Sequence, residues 1–384
     1  MPEAPPRPAR LGVVVNPTAD RGRGRGDGAR TIELLRQAGH DVLDLSAPNA
    51  PLALENARDA VAGRGTGGPL DALVVVGGDG MVHLGVNAVA GTGVPLGIVA
   101  AGTGNDFASA LELPVHAVDA AVTLLLDALG ARAAGTGGTR RVDAARAEPL
   151  DAHLDPRPGR ERWFCGVLSA GLDAAVNARA NALTWPRGSA KYVRAVASEL
   201  ARFRPYGYRI TAELVGAPGA SDTAGAGDPA GSTAASTARP SPSGTAAPGE
   251  RAPRTPDDAT HPFVWESPGT VVAVANGPRF GGGVRVAPDA SIDDGLLDLV
   301  TAGPLTRLGV ARVFPGMYRG KHVHHPAVDL YQARSVVLEA TDAGGPPPPA
   351  FADGERISRL PVRVTVVPGA LLVLDPRDHT IPPG

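Results

Sequence analysis

Between Leu73 and Pro114 the chain reads LVVVGGDGMVHLGVNAVAGTGVPLGIVAAGTGNDFASALELP: strand, glycine turn, helix, strand, second glycine turn, helix. The apolar runs Leu73 to Val76 and Leu96 to Ala100 each end in glycines and open onto helical periodicity. That is the sequence form of a phosphate-binding strand-to-helix turn, where close backbone approach needs glycine and the helix N-terminus attracts an anion. Each turn carries one acid, Asp79 or Asp106. A carboxylate cannot touch a phosphate directly, so Gly77-Gly78-Asp79-Gly80-Met81 fits a nucleotide when Asp79 holds a magnesium ion, largely through water. A tight turn whose Asp caps the helix is the simpler account and covers Asp79 alone. The second turn of the same build, Gly102-Thr103-Gly104-Asn105-Asp106, favours a site. There Thr103 suits phosphate oxygens, and Asn105 or Asp106 suits the N-cap of the following helix.

The surrounding sequence alternates in the same way. A strand over Leu11 to Val15 ends in Asn16-Pro17-Thr18 and a glycine- and arginine-rich loop, followed by a helix over Ala29 to Ala38, a strand over Val42 to Leu45 and a helix over Leu52 to Ala62. A further helix is expected over Ala117 to Leu129. Alternating strands and helices imply an α/β domain with a doubly wound parallel sheet, its ligand crevice at the carboxyl ends of the strands. No GxxxxGK[ST] run is present and no GxGxxG follows the first strand, which removes the P-loop and classical dinucleotide readings.

Beyond Gly130 strand-like runs dominate, with helical pattern confined to Ala174–Leu183, Lys191–Phe203 and Leu305–Phe314. This predicts a second, predominantly antiparallel β-sandwich domain. At 384 residues the chain is long enough for two cores, divided here as 1–138 and 139–384. Residues 216–262, almost entirely Ala, Gly, Ser, Thr, Pro and Asp, are expected to be a disordered insertion, and the C-terminal segment has the option of packing back on the first domain.

A net charge of −2 argues against nucleic acid as a partner. No signal peptide and no apolar run near the ~20 residues of a bilayer span are found, so a cytoplasmic protein is expected. Lys191, Arg194 and Arg202 fall on one helical face, with Val193, Val196, Leu200 and Phe203 largely opposite and Trp185 and Tyr192 at the edges. That pattern suits peripheral contact with anionic lipid at the inner membrane face, and equally an ordinary packed surface helix. Cys165 reads as a buried small hydrophobe, and His322, His324 and His325 lack the partners of a zinc site.

Together the GGDG and GTGND turns, the Asn-Pro closing strand one, APDASIDDGLLDL at Ala287 to Leu299, RGKHVHHPAV at Arg319 to Val328 and FADGERI at Phe351 to Ile357 resemble the diacylglycerol kinase catalytic family, which includes bacterial lipid kinases and sphingosine and ceramide kinases. The resemblance implies transfer of the γ-phosphate of ATP, with Mg2+, to a lipid hydroxyl at a membrane surface, first of all diacylglycerol to phosphatidic acid. By the same resemblance Asn16, Pro17 and Thr18 through Asp20 match the first nucleotide loop, Gly78 to Leu84 the second, and Thr103 a third contact. Asp79, Asp106 and Asp143 match aspartates that organise magnesium through water. Asp294, with main-chain oxygens of Ser291 and Leu296, matches a separate structural metal site, and Glu355 the general base. Met81 departs from the family's usual threonine, and Leu84 stands where an acid is common. An enzyme of NAD kinase type and a non-catalytic nucleotide- or lipid-binding protein are the alternatives, and a homodimer is left open.

Overall fold

The computed structural model describes residues 8–16, 23–65, 67–183, 185, 189–216 and 259–377. Pro17, Thr18 and Asp20, and residues 217–258 of the expected insertion, lie outside the described residues. The first domain runs β1 (Arg10–Val15), α1 (Arg23–Gln37), β2 (Asp41–Asp44), α2 (Ala50–Val61), β3 (Ala72–Gly77), α3 (Asp79–Val89), β4 (Leu96–Ala100), α4 (Asp106–Ala110) and α5 (Val118–Ala133). Its strands pair in parallel in the order β2-β1-β3-β4. Every residue of β3 and β4 is buried, as their uninterrupted apolar sequences require of strands covered on both faces. Helix α3 is buried from Met81 to Val89, so it is an enclosed wall and not a surface helix.

The second domain begins with β5 (Thr139–Pro149), β6 (Arg162–Phe164), β7 (Val167–Ser169), α6 (Leu172–Ala182), α7 (Ser189–Arg202), β8 (Tyr206–Val215), β9 (Thr260–Gly269), β10 (Val271–Ala275) and β11 (Leu297–Ala302). It ends with α8 (Arg307–Met317), a 3-10 turn at Lys321–His324, β12 (Val328–Ala340), β13 (Ala350–Ala352), β14 (Glu355–Ser358) and β15 (Val362–Leu374). These strands are antiparallel to one another, along β14-β13-β7-β10-β11-β12-β15 with β5, β6, β8 and β9 branching from that path. The two-domain expectation, parallel then predominantly antiparallel, holds.

Two features differ from the sequence reading. The expected insertion ended at Pro262, but β9 already starts at Thr260 and pairs with β8 from Val215↔Thr260 to Tyr206↔Gly269. Pro262 and Pro268 hid this strand; it is an edge strand bonded to β8 alone, where proline is tolerated. The apolar runs at 362–367 and 371–374 are one strand, β15, with a bulge between Val367 and Leu371. Its first half lies antiparallel to β12, while Val373 pairs in parallel with Leu96 of β4. The bulge bends the strand so that it joins the antiparallel and parallel parts of one continuous sheet.

Candidate active site

The two glycine turns touch backbone to backbone. A Cβ on Gly102 would stand 2.2 Å from the Cα of Gly78, and one on Gly77, whose φ is +152°, would meet Met81 Cγ at 2.6 Å. Asp79 ties the turns together: its Oδ1 accepts from the Asp106 amide at 2.8 Å and its Oδ2 from the Asn105 amide at 3.0 Å. Asn105, left-handed at φ 56°, folds its amide side chain back onto Gly102, accepting from its N–H at 3.0 Å and donating to its carbonyl at 2.8 Å. Asn105 is the N-cap residue of α4, as expected, but makes no side-chain capping bond. Asp106 instead accepts from the amides of Gly282 and Gly283 at 2.8 and 2.9 Å, across the domain boundary. Thr103 is exposed at the tip of its turn, and the Asn16 amide donates to the Val76 carbonyl at 3.3 Å, placing the end of β1 beside the first turn.

Asp79 is the N1 residue of α3 and Gly78 its N-cap, so the side chain of Asp79 is not spent on capping its own helix. The Met81 and Val82 amides bond back to the Gly78 carbonyl, whereas those of Asp79 and Gly80, at the start of the helix, keep no partner among the described residues. Met81 and Leu84, 6% and 5% exposed, are core residues. Both departures from the family pattern are therefore packing positions of the enclosed helix.

Burial pushes the Asp79 carboxyl up, and the charges of Asp106 and Asp353 add to that, against the pull of two amides. A divalent cation would relieve this repulsion, and each carboxylate oxygen has lone pairs left beyond the one it lends to an amide. No three metal-ligating side chains converge among the described residues. The residues present thus fit magnesium that keeps most of its waters, not a fully protein-ligated ion.

Asp143 is not in that group. Its carboxylate is buried and accepts from the amides of Gly369, in the β15 bulge, at 2.7 Å and of Gly295 at 2.6 Å. It lies beside Asp293 and Asp294, in the turn where Ser291 donates its hydroxyl to Asp293 at 2.7 Å and the Leu296 amide donates to Asp294 at 3.0 Å. Burial, with the charges of Asp143 and Asp293, pushes Asp294 up to about 6.

Glu355 opens β14 and is exposed, with Oε1 3.6 Å from the point where a Cβ on Gly80 would stand. The second domain therefore delivers a carboxylate over the first turn of α3. Between the domains lies a polar cleft of about 160 Å³ lined by Asp79, Asp106, Arg279, Phe280, Asp353 and Gly354 among others. Among the described residues Arg279 is its one lining cation. Next to it is a larger, apolar cavity of about 280 Å³ between α6, α7, α8 and the face of β10 and β11, and Phe280 lines both. Asp173 and His322 are polar groups on the apolar wall. Burial pushes Asp173 up, and neither of its carboxyl oxygens has a donor in hydrogen-bonding geometry, although Ser169 and the first amides of α6 lie near enough to pull it partly back. Sequence reasoning passed over Asp353, Arg279 and the left-handed run Gly281-Gly282-Gly283 that meets Asp106; the triple glycine was its visible signal.

Residues 10–135 match the diacylglycerol kinase catalytic domain, and residues 166–375 the YegS C-terminal NAD kinase beta sandwich-like domain. The chain is 30% identical over 365 residues to a diacylglycerol kinase of Mycobacterium tuberculosis (strain ATCC 25618 / H37Rv), covering 95% of this chain and 94% of that one. This chain belongs to the diacylglycerol kinase catalytic family. Within that lipid kinase family it is also similar to a probable lipid kinase YegS-like of Xanthomonas oryzae pv. oryzae (strain KACC10331 / KXO85), 26% identical over 313 residues, 80% of this chain and 79% of the other. A crystal structure of a putative diacylglycerol kinase from Bacillus anthracis str. Sterne shares the fold, with a TM-score of 0.60 at 18% identity over 96% of this chain and 97% of that one. The diacylglycerol kinase family member described here is a kinase that phosphorylates a hydroxyl group.

Proposed function

We propose that this kinase transfers the γ-phosphate of magnesium-ATP to the free hydroxyl of diacylglycerol, giving phosphatidic acid. One observation carries the reading: the acidic cleft and the apolar cavity share Phe280, so a chain buried among Val176, Val196, Val300, Leu305, Val310 and Phe314 leaves its head group at the cleft. A soluble nucleotide acceptor would gain nothing from that wall.

Phosphoryl transfer asks for positioning, charge neutralisation and a carboxylate near the attacking hydroxyl. Asp79 and Asp106 organise magnesium through its waters, and bound magnesium neutralises charge developing on the phosphates. The free amides of Asp79 and Gly80 orient a phosphate at the start of α3. Glu355 accepts the hydroxyl proton as that oxygen bonds to the γ-phosphorus and the bond to the ADP oxygen breaks. Labelled ATP offered with diacylglycerol in mixed micelles tests this: phosphatidic acid must form, and Glu355→Gln must abolish it. Label going only to another acceptor, or a Glu355→Gln variant as active as wild type, refutes it.

The cavity has to be loaded from a membrane. No helix among the described residues is long and apolar enough to cross one; the reading here is a peripheral contact. Exposed apolar residues stand on two helices that wall the cavity and between α6 and α7: Val193 is 68% exposed, Leu308 59% and Trp185 71%. Val193 thus stands with the basic residues rather than opposite them, while Val196 and Leu200 line the cavity. The Arg194 guanidinium lies over the Trp185 ring at 5.7 Å. From Gly303 to Ala327 the chain carries Arg307, Arg312, Arg319 and Lys321 and no acid. Such a rim is drawn to anionic lipid at about 1 kcal/mol per basic residue. Sedimentation with phosphatidylglycerol vesicles must weaken with salt and with Arg312→Glu/Arg319→Glu; equal binding to neutral vesicles counts against it.

A further inference from the structure

Helix α3 meets the second domain along one face, Gly80, His83 and Asn87, whose spacings of three and four residues stack them on the same side. At one end of this face Glu355 stands over Gly80. At the other Asn87 clamps the backbone of Trp163, donating to its carbonyl at 2.8 Å and accepting from its amide at 3.0 Å. Between them His83 Nδ1 stands 3.6 Å from Asp353 Oδ2. His83 is buried, and its Nδ1 has no hydrogen-bond partner.

Asp353 is a junction. Its carboxylate accepts from the amides of Cys165 and Gly166 at 3.1 and 3.0 Å, both in the second domain. Its backbone is left-handed at φ 49°, and Gly354 follows at φ 85°, its carbonyl accepting from Asn177 at 3.2 Å. Glu355 comes next. The imidazole of His83 is thus the group of the nucleotide-side helix that reaches this loop's carboxylate. At 3.6 Å the contact is electrostatic, just outside hydrogen-bond reach, and such contacts at catalytic sites commonly tighten when substrate binds.

We propose that His83 is a positioning residue for the transfer reaction: its Nδ1 holds Asp353, and through the short Asp353-Gly354 lever it sets where the Glu355 carboxylate stands over α3. The proposal rests on the reading of Glu355 as the base. Without this tie the loop is anchored only to its own domain, and the base is no longer registered against the nucleotide half. Asparagine at 83 offers an amide N–H close to the place of Nδ1, whereas leucine keeps bulk and removes the donor.

Steady-state kinetics with magnesium-ATP and diacylglycerol micelles, for wild type, His83→Leu, His83→Asn, Asp353→Asn and the His83→Leu/Asp353→Asn pair, test it. His83→Leu is expected to lower kcat about tenfold with KM for ATP within about twofold, and His83→Asn to recover kcat to within about threefold of wild type. In the Asp353→Asn background His83→Leu adds no further loss. An unchanged kcat in His83→Leu, an Asn variant no better than the Leu variant, or losses that multiply in the pair overturns the proposal. If leucine at 83 prevents folding, Asp353→Asn carries the comparison, since kcat must still fall with KM for ATP unchanged. Amide hydrogen exchange over residues 350–358 must quicken in His83→Leu whether or not the lipid is phosphorylated. That readout separates failure of the tie from failure of the Glu355 assignment, and unchanged exchange refutes the tie.

Discussion

Replacing Gly102 by alanine should damage the proposed nucleotide site, and the structure sets the scale. The new Cβ would lie 2.2 Å from Gly78 Cα and 2.8 Å from Gly78 N, against ordinary contacts of 3.4–4 Å. Backbone cannot rotate away, so the turns must part by about 1 Å or more. The bonds from Asp79 to the amides of Asn105 and Asp106, now 3.0 and 2.8 Å, bridge that seam and would be lost or stretched. Hydrogen bonds to a charged group contribute about 1.5–3 kcal/mol each, so the two together set a scale of about 3–6 kcal/mol. A misplacement of this size costs on the order of a hundredfold in rate. Gly130→Ala is the control: it lies on α5 with nothing within 4 Å of its Cβ position, and should stabilise by about 0.5–1 kcal/mol. Thermal melts and kcat/KM for ATP on both variants give opposite signs if the reasoning holds. A Gly102→Ala protein that melts with the Gly130→Ala protein and keeps kcat/KM within about twofold of wild type would show that the seam between the turns is not rigid.

Three further outcomes are expected. Arg279→Ala, which removes the cleft's lining cation, should lower kcat about tenfold to a hundredfold with little change in melting temperature; an equal loss in both would mark it as structural. Ala302→Phe, pointed at the apolar cavity, should depress activity on long-chain more than on short-chain diacylglycerol at unchanged KM for ATP, measured by label incorporated from ATP into the lipid in micelles of each. Asp294 is raised to about 6, so the folded state binds its proton more tightly than the unfolded chain does. The stability this contributes is present below about pH 4 and is lost as pH rises through about 6. In chelating buffer Asp294→Asn, which keeps an oxygen for the Leu296 amide, should therefore gain on wild type between pH 4 and 7 by no more than about 1–2 kcal/mol after solvent screening, read from urea melts.

The parallel half of the fold was legible because β1, β3 and β4 are apolar on both faces and glycine turns follow β3 and β4. The paired turns were legible for the same reason, since contact between Gly78 and Gly102 leaves room for no other residue. What stayed hidden depends on partners far along the chain. Asp143 is held by amides 152 and 226 residues away, and nothing local distinguishes that role from one at the nucleotide. Asp353 meets amides 188 and 187 residues distant, so the Asp-Gly-Glu segment drew notice only through family likeness. Met81 and Leu84 looked like losses from a phosphate loop; the unbroken burial of α3 shows why apolar side chains sit there. That signal was in the sequence, since a helix with so few polar residues on any side has no face to give to water.

Strand β15 has a consequence for biosynthesis. The far end of β4 is bridged early, Ala100 to Val115, but its start at Leu96 is paired on that side only when Val373 arrives. At ordinary translation rates that is roughly 15–55 s after β4 leaves the peptidyl-transferase centre. For that interval the start of an apolar strand stands unpaired on one side, the kind of surface that pairs with neighbouring chains. A strand of the second domain thus shields the first, and a truncation that removes β15 would be felt as aggregation of the domain that carries β4.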